Sequence, residues 1–143
     1  MLLTVGLVNR RRITTFKRTR QYAESDFDLL IRVTEHFVPL YAVAHIAAEV
    51  SNLTDLAGSE RRLARQVLKG VIERLQEPTM PSIRAVQGRF YERQGLTDAA
   101  IGVVAAEKKC GVITDDLDLY LALQSEKIPV LNFAHLREKS WAI

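Results

Sequence analysis

Short β-prone runs alternate with longer amphipathic segments along most of this chain, and that order constrains the fold more than any other feature. Strands that alternate with helices pair in parallel, because each helix carries the chain back to the end at which the previous strand began. We therefore expect an α/β fold with three layers, in which helices flank a central parallel sheet.

The expected strands cover residues 38–43, 111–114 and 130–133. Ser25, Ser59 and Thr97 are candidate N-caps, and Gly95 is expected to end the helix before it. Residues 1–8 fit a helix end or a buried strand, since so short an apolar run does not distinguish the two. The expected helices cover residues 26–37, 44–53, 59–76, 83–93, 97–108 and 117–125.

The chain has 143 residues and contains no repeat or linker-like tract, so a single domain over residues 1–143 is expected. Its one cysteine, Cys110, cannot form an internal disulfide, and a packed thiol in a reducing, cytoplasmic setting is expected. The apolar residues 1–8 are too few to cross a bilayer, and arginines follow them rather than precede them. We therefore expect no export and no membrane partner.

Acidic residues cluster directly after the strand expected at residues 111–114. Asp115, Asp116 and Asp118 follow Thr114, and in open α/β sheets sites form beyond the carboxyl ends of the strands. Three carboxylates this close repel one another, and a divalent cation with oxygen ligands would relieve the repulsion. The alternative is that Asp115 or Asp116 caps the following helix. The sequence leaves both interpretations open.

Two further acids lie on expected helices. Asp98 lies in a first turn, where a carboxylate favours the helix dipole. Glu49 lies in an otherwise small and apolar segment, close to Ile46 and Val50 on the helix surface, although most helical glutamates are solvated. Neither acid alone predicts a site.

Several classes of site are not supported. No His or Cys pair has the spacing of zinc ligands, and there is neither a Gly-rich phosphate loop nor a nucleophile elbow around a serine. The net charge is +3, and six cations fall within eleven residues near the amino end. Such a run is suited to phosphate, although most basic runs are simply solvated surface. These cations are Arg10, Arg11, Arg12, Lys17, Arg18 and Arg20.

Four sequence runs, taken in order, resemble a PIN domain. Gly-Leu-Thr-Asp-Ala-Ala-Ile at residues 95–101, Val-Ile-Thr-Asp-Asp-Leu-Asp-Leu at 112–119 and Val-Leu-Asn-Phe at 130–133 are similar to its carboxyl half. Ala-Glu-Val-Ser-Asn-Leu at residues 48–53 resembles the segment that carries the family's second acid. The likeness spans most of the chain and implies a PIN-like three-layer fold.

The resemblance implies a metal-dependent endoribonuclease that uses Mg²⁺ or Mn²⁺. By motif, Glu49, Asp98 and Asp116 would be metal ligands, and Asp118 a further ligand or an acid behind them. Thr114 and Asn52 would support these ligands through hydrogen bonds. The six amino-terminal cations would then bind RNA. The resemblance to toxin-type members of the family implies two candidate partners, which are an antitoxin protein and a second copy of the chain.

One departure from the family pattern gives a second interpretation. PIN domains that resemble this chain begin with a strand that ends in an aspartate, usually in an Asp-Thr-Asn motif. No such aspartate is present, and residues 1–6 resemble the helix after that strand. The alternative is therefore a catalytically impaired PIN-like module that binds RNA or protein. A response-regulator-like domain ranks last, because the acids lie late in the chain and no supporting lysine motif follows.

Overall fold

The computed structural model describes residues 1–141 of the chain, which divide into two compact units. The first unit comprises Met1–Ala42 and Ile46–Glu77, and the second comprises Val43–His45 and Pro78–Ile143. Residues 1–141 contain eight α-helices and two strands, which pair in parallel. The α/β class is confirmed, but the chain is mostly helical and its sheet is small.

The first unit is built from helices, which bury apolar side chains between them. The amino-terminal helix packs against the next helix and against the long fourth one. A Cβ added to Gly6 would lie 2.3 Å from the Phe27 ring, so only glycine allows this close approach. Val5 and Ile13 are fully buried. The helices are α1 (Leu2–Val8), α2 (Glu24–Glu35), α3 (Ala44–Leu53) and α4 (Ser59–Ile72).

Helix α2 starts earlier than predicted, and its cap differs. Its N-cap is Ala23, so the prediction of Ser25 is wrong. Asp26, in the first turn, accepts a hydrogen bond from the Ala23 backbone N–H at 2.8 Å. An acid at this position satisfies a backbone donor just before the helix, which leaves no need for a serine cap.

The strand predicted at residues 38–43 is wrong for most of its length. Only Tyr41 makes an isolated parallel bridge, and its partner is Gln76 after α4. Pro39 removes a backbone donor from the run, so a continuous ladder cannot form there. Residues 1–8, left open by the sequence, are helical in α1. The range of α3 agrees with the prediction.

Helix α4 begins at its predicted first residue, Ser59, and ends four residues before its predicted end. Gly58 is the N-cap with φ 58°, so the prediction of Ser59 as the cap is wrong. Glycine tolerates this left-handed φ, and the helix then begins directly at Ser59. The chain turns after Ile72 rather than continuing to Gln76.

The second unit contains a strand–helix–strand crossover packed on an alanine-rich helix. The two strands pair in register from Val112 opposite Val130 to Thr114 opposite Asn132. This pairing confirms one parallel element of the expected sheet. Within residues 78–141 the elements are α5 (Ser82–Val86), α6 (Tyr91–Lys108), β1 (Val112–Thr114), α7 (Leu117–Ser125), β2 (Val130–Asn132) and α8 (Phe133–Trp141).

Helix boundaries in the second unit depart from the prediction near Gly88 and agree with it at Gly95. The helix predicted at residues 83–93 ends at Val86, and Gly88 lies so close to Ala85 and Val103 that an added Cβ would be 3.1 Å from each. Gly95 has φ 81° and interrupts α6, which confirms it as a break. Strand β2 ends at Asn132, one residue before its predicted end, and α8 was not predicted.

Candidate functional site

The carboxyl ends of β1 and β2 lie side by side, because Thr114 and Asn132 are paired in register. Each strand leads into a helix within three residues. Asp116 is the N-cap of α7, and its Oδ1 accepts the Leu119 backbone N–H at 3.0 Å. Thr114 Oγ1 accepts the Asp116 backbone N–H at 3.1 Å. The capping interpretation of Asp116 is therefore confirmed, and Thr114 orders the same turn.

The neighbouring strand ends in a similar way. Asn132 is 5% exposed, and its Oδ1 accepts the His135 backbone N–H at 3.1 Å, which caps the start of α8. The His135 ring meets the Tyr120 ring edge to face, with centroids 5.4 Å apart. This contact joins α8 to α7. The polar residues Asn132, His135 and Tyr120 were not predicted here, although an asparagine directly after a strand is a recognisable capping signal.

Asp118 lies one residue inside α7 and is exposed. It lines an open groove of about 720 Å³ that also contains Arg89, Arg93 and Gln94. Gln94 Nε2 donates to the Asp118 backbone oxygen at 3.5 Å, so the helix carrying Gln94 borders the same groove. Arg89 is paired with Glu126. The groove therefore places one predicted acid beside two cations that the sequence did not single out.

Asp98 lies in the same unit, on the part of α6 that follows the break at Gly95, and is half-buried. Its neighbours Ala99 and Ala100 are fully buried, so this turn of α6 faces the core on one side. Asp98, Asp116 and Asp118 thus belong to one compact unit.

Glu49 and Asn52 belong to the first unit, on α3, and both are exposed. Asn52 lines a cavity of about 310 Å³ together with Arg61 and Arg65 of α4. Within residues 1–141, no three His, Cys, Asp or Glu side chains form a group able to hold a metal ion. Glu49 and the three acids Asp98, Asp116 and Asp118 therefore belong to different compact units.

The amino-terminal basic segment is ordered by two ion-paired arginines. The Arg10 Nη2 lies 2.5 Å from Asp28 Oδ2, and its guanidinium covers the Phe27 ring at 5.4 Å from the centroid. Arg12 Nε donates to both carboxylate oxygens of Glu60, at 2.8 and 3.0 Å. This hydrogen bonding, together with the attraction of opposite charges, raises the pKa of Arg12 and lowers the pKa of Glu60. Both arginines thus hold the segment onto α2 and α4.

The remaining four cations have no side-chain partner within residues 1–141, and all four are exposed. The segment that carries them is anchored by Ile13, Phe16 and Thr19, three residues apart and buried. Thr19 Oγ1 donates to the Ile13 carbonyl at 2.8 Å. The apolar face therefore fixes the backbone while the intervening cations point outward. We call these cations, Arg11, Lys17, Arg18 and Arg20, the basic strap.

No helix within residues 1–141 combines the length and the apolar character needed to cross a membrane. The chain matches no protein-family model, no curated protein and no solved structure. The case for a function therefore rests on the contacts, burial and charges given above.

Proposed function

We propose that this chain is a metal-dependent endoribonuclease of PIN type with a three-layer arrangement, in which the basic strap binds RNA phosphates and carboxylates of the second unit carry the chemistry. The observation that carries this proposal is the paired carboxyl ends of β1 and β2. Thr114 and Asn132 are adjacent there, and Asp116 and Asp118 follow directly. Polar side chains at this position of a parallel pair are where α/β proteins place their sites.

The carboxylate oxygens of Asp116 and Asp118 suit a hard cation whose remaining ligands come from the substrate and from water. Asp116 uses Oδ1 to cap α7, which leaves Oδ2 as an acceptor, and the Asp118 carboxylate faces the groove. Mg²⁺ commonly binds through one or two carboxylates, several waters and substrate phosphates. A complete cage of three protein ligands is therefore not needed. Bound Mg²⁺ or Mn²⁺ would orient a water for attack and neutralise charge on the phosphate.

The groove beside Asp118 supplies a cation for the substrate. Arg93 has no side-chain partner within residues 1–141, whereas Arg89 is engaged with Glu126. A free guanidinium can bind a phosphodiester through two parallel hydrogen bonds. Arg93 would then hold an RNA phosphate next to Asp118, while Gln94 fixes the start of α7. The resemblance adds Asp98 and Glu49 as further ligands.

The test is cleavage of a mixed structured RNA pool in Mn²⁺, with EDTA as the metal-free arm. Asp118→Asn and Asp98→Asn should abolish the metal-dependent products. Asp116→Asn should do the same without unfolding α7, because asparagine caps a helix about as well as aspartate. Glu92→Gln is the matched control, since Glu92 lines the same groove but is not a predicted ligand. Equal loss in Glu92→Gln, or cleavage that survives EDTA, would contradict the proposal.

Glu49 needs a separate test in the cleavage assay, because its proposed role rests on the resemblance alone. Glu49→Gln should lower cleavage if Glu49 binds the metal. A surface glutamate without that role would leave the rate unchanged, and the second-unit acids would then act without it. Asn52→Ala tests the proposed support of Glu49 in the same assay.

The second candidate is an RNA-binding module without catalysis. It is favoured by the finding that no three potential ligands are grouped within residues 1–141, while four strap cations remain free to bind phosphate. It predicts RNA binding without cleavage, at an affinity that Asp98→Asn and Asp116→Asn leave unchanged. Cleavage products that appear with Mn²⁺ and vanish in these variants would exclude it.

An antitoxin protein, a second copy of the chain and a cytoplasmic setting are also proposed from the resemblance. Helix α7 exposes Leu117 at 55% and Leu121 at 52%, one turn apart, so it offers apolar surface to a partner. Light scattering across a concentration series should give a dimer mass that falls in Leu121→Lys. A monomer at every concentration would remove the homodimer from the proposal.

A further inference from the structure

The cavity beside Asn52 in the first unit is lined mostly by polar residues from two segments, together with Ala64 and Leu68. The end of α3 and the residues after it contribute Ser51, Asn52 and Asp55, and α4 contributes Arg61 and Arg65. Its volume is about 310 Å³, near the lower end of the range for small-molecule sites. The two arginines are four residues apart, so they lie on the same face of α4.

Arg61 is already engaged inside the cavity. Its Nε donates to the Leu56 carbonyl at 3.2 Å, and its Nη2 lies 3.8 Å from Asp55 Oδ1. The Asp55 carboxylate is therefore paired with Arg61, and both side chains are exposed. The other acid at this end of α4, Glu60, is held by Arg12 through both of its oxygens. Neither acid is left to neutralise a second cation.

Arg65 is that second cation. Its side chain has no partner within residues 1–141, and the same is true of the Ser51 hydroxyl and the Asn52 amide in this part of the chain. A guanidinium, a hydroxyl and an amide thus line one cavity, exposed and, in the described chain, without a protein partner for their hydrogen-bond donors. Their common complement is an oxygen-rich anion, and the planar guanidinium matches phosphate oxygens in pairs.

We propose that this cavity is a binding site for a phosphate group, in which Arg65 provides the charge and Ser51 and Asn52 provide neutral donors. Arg61 positions the site by tying α4 to the loop at Leu56. The phosphate can be free or can terminate an RNA strand, since both present the same oxygens. The inference does not rest on the proposed ribonuclease activity: the cavity belongs to the first unit, and of its residues only Asn52 also has a role in that activity.

The first experiment is a titration of the full chain with inorganic phosphate, followed by backbone amide NMR. Shifts should concentrate at Ser51, Asn52 and Arg65, with affinity in the millimolar range expected for a small anion. Arg65→Gln should weaken binding about tenfold, because a hydrogen-bonded charge is removed. Arg62→Gln is the matched control, since Arg62 is exposed on the same helix but does not line the cavity. It should change the affinity less than about twofold.

Equal weakening in Arg65→Gln and Arg62→Gln would overturn the proposal, because it would show general attraction to a basic surface. Shifts confined to Lys17 and Arg18, or no binding at all, would overturn it as well. Ser51→Ala with Asn52→Ala gives a second variant that keeps the charge and should still weaken binding. Oligoribonucleotides with a 5′-phosphate or a 5′-hydroxyl then identify the source. Displacement of inorganic phosphate by the 5′-phosphate form alone assigns an RNA end, and displacement by neither assigns a free anion.

Discussion

The two compact units differ in charge and in architecture. The first holds 12 Lys and Arg against 9 Asp and Glu and is built from helices, with one isolated bridge. The second holds 8 of each and contains the parallel strand pair. The whole net charge of +3 therefore belongs to the first unit. The basic strap and the carboxylates at the strand end thus belong to different units.

The proposed binding and the proposed chemistry would therefore depend mainly on different units. In the first unit, the cations proposed to bind phosphate are Arg11, Lys17, Arg18, Arg20 and Arg65. In the second, the acids lie in a turn fixed by Thr114 and the Asp116 cap. Substitutions in each unit can test this separation, and changes to the core should have the largest effect.

Core truncations should separate the stabilities of the two units. Ile13 and Leu123 are both fully buried, one in each unit, and replacement of either by alanine should cost about 2–5 kcal/mol. Hydrogen exchange should accelerate most within the unit that carries the change, because stability is distributed locally. Uniform acceleration over residues 1–141 after either change would instead fit the single domain expected from the sequence.

Glycine substitutions should distinguish tight helix packing from open surface. A Cβ added at Gly6 would lie 2.3 Å from the Phe27 ring, and one added at Gly102 would lie 2.5 Å from the Phe90 ring. Gly6→Ala and Gly102→Ala should each destabilise their unit by about 1–3 kcal/mol. Gly70, in α4, has no neighbour within 4 Å of an added Cβ.

Gly70→Ala is the control for these two variants and should raise stability by about 0.5–1 kcal/mol, because glycine is a poor residue inside a helix. Urea unfolding measures all three changes. The same sign for all three would mean that the close ring contacts do not determine the effect.

RNA affinity should depend on cations of the first unit more than on those of the second. Lys17→Gln with Arg18→Gln should weaken single-stranded RNA binding and lower the slope of log affinity against log salt by roughly 1.4, for two contacts. Lys127→Gln with Lys139→Gln removes the same charge from exposed positions in the second unit. Filter binding at several salt concentrations compares the pairs. Equal effects would show that net charge alone controls binding.

The smallest expected effect is on the stability of the first unit at acidic pH. The hydrogen bond from Arg12 lowers the pKa of Glu60, so this carboxylate stabilises the fold above its unfolded pKa and loses that contribution as pH falls through its folded value. Glu60→Gln should therefore lower the melting temperature slightly at neutral pH and reduce the dependence of stability on pH below about 5. Glu77→Gln is the control, since Glu77 is exposed and has no side-chain partner in the described chain. A pH dependence unchanged by Glu60→Gln would exclude the pair as its source.

Several parts of the fold follow from local sequence. The bounds of α3 and α7 were predicted correctly, because apolar spacing and the flanking residues agree there. Asp116 was a candidate cap before the structure, since an acid at that position satisfies the first turn of a helix. Gly95 was expected to interrupt a helix, and its φ of 81° explains why. Each of these features depends on only a few neighbouring residues.

The candidate site was only partly predictable. The acids after β1 could be singled out because a strand end and a helix start are both visible in the sequence. Arg93 and Gln94 could not, since only the packing of α6 on α7 brings them to Asp118. The cavity at Arg65 likewise requires α4 to cover the end of α3. Spacing along one helix does not reveal which neighbour will face it.

By itself, the sequence determined the α/β class, most helices of both units, the parallel pair and the concentration of charge near the amino end. The tertiary structure decided which charges are free. Arg10 and Arg12 belong to the same basic run as Lys17 and Arg18, yet only the first two meet carboxylates, on α2 and α4. It also decided that residues 38–43 form no continuous strand, because a strand requires a partner that local propensity cannot supply. Ion pairs and sheet pairing join residues distant in the chain, and only the folded packing fixes them.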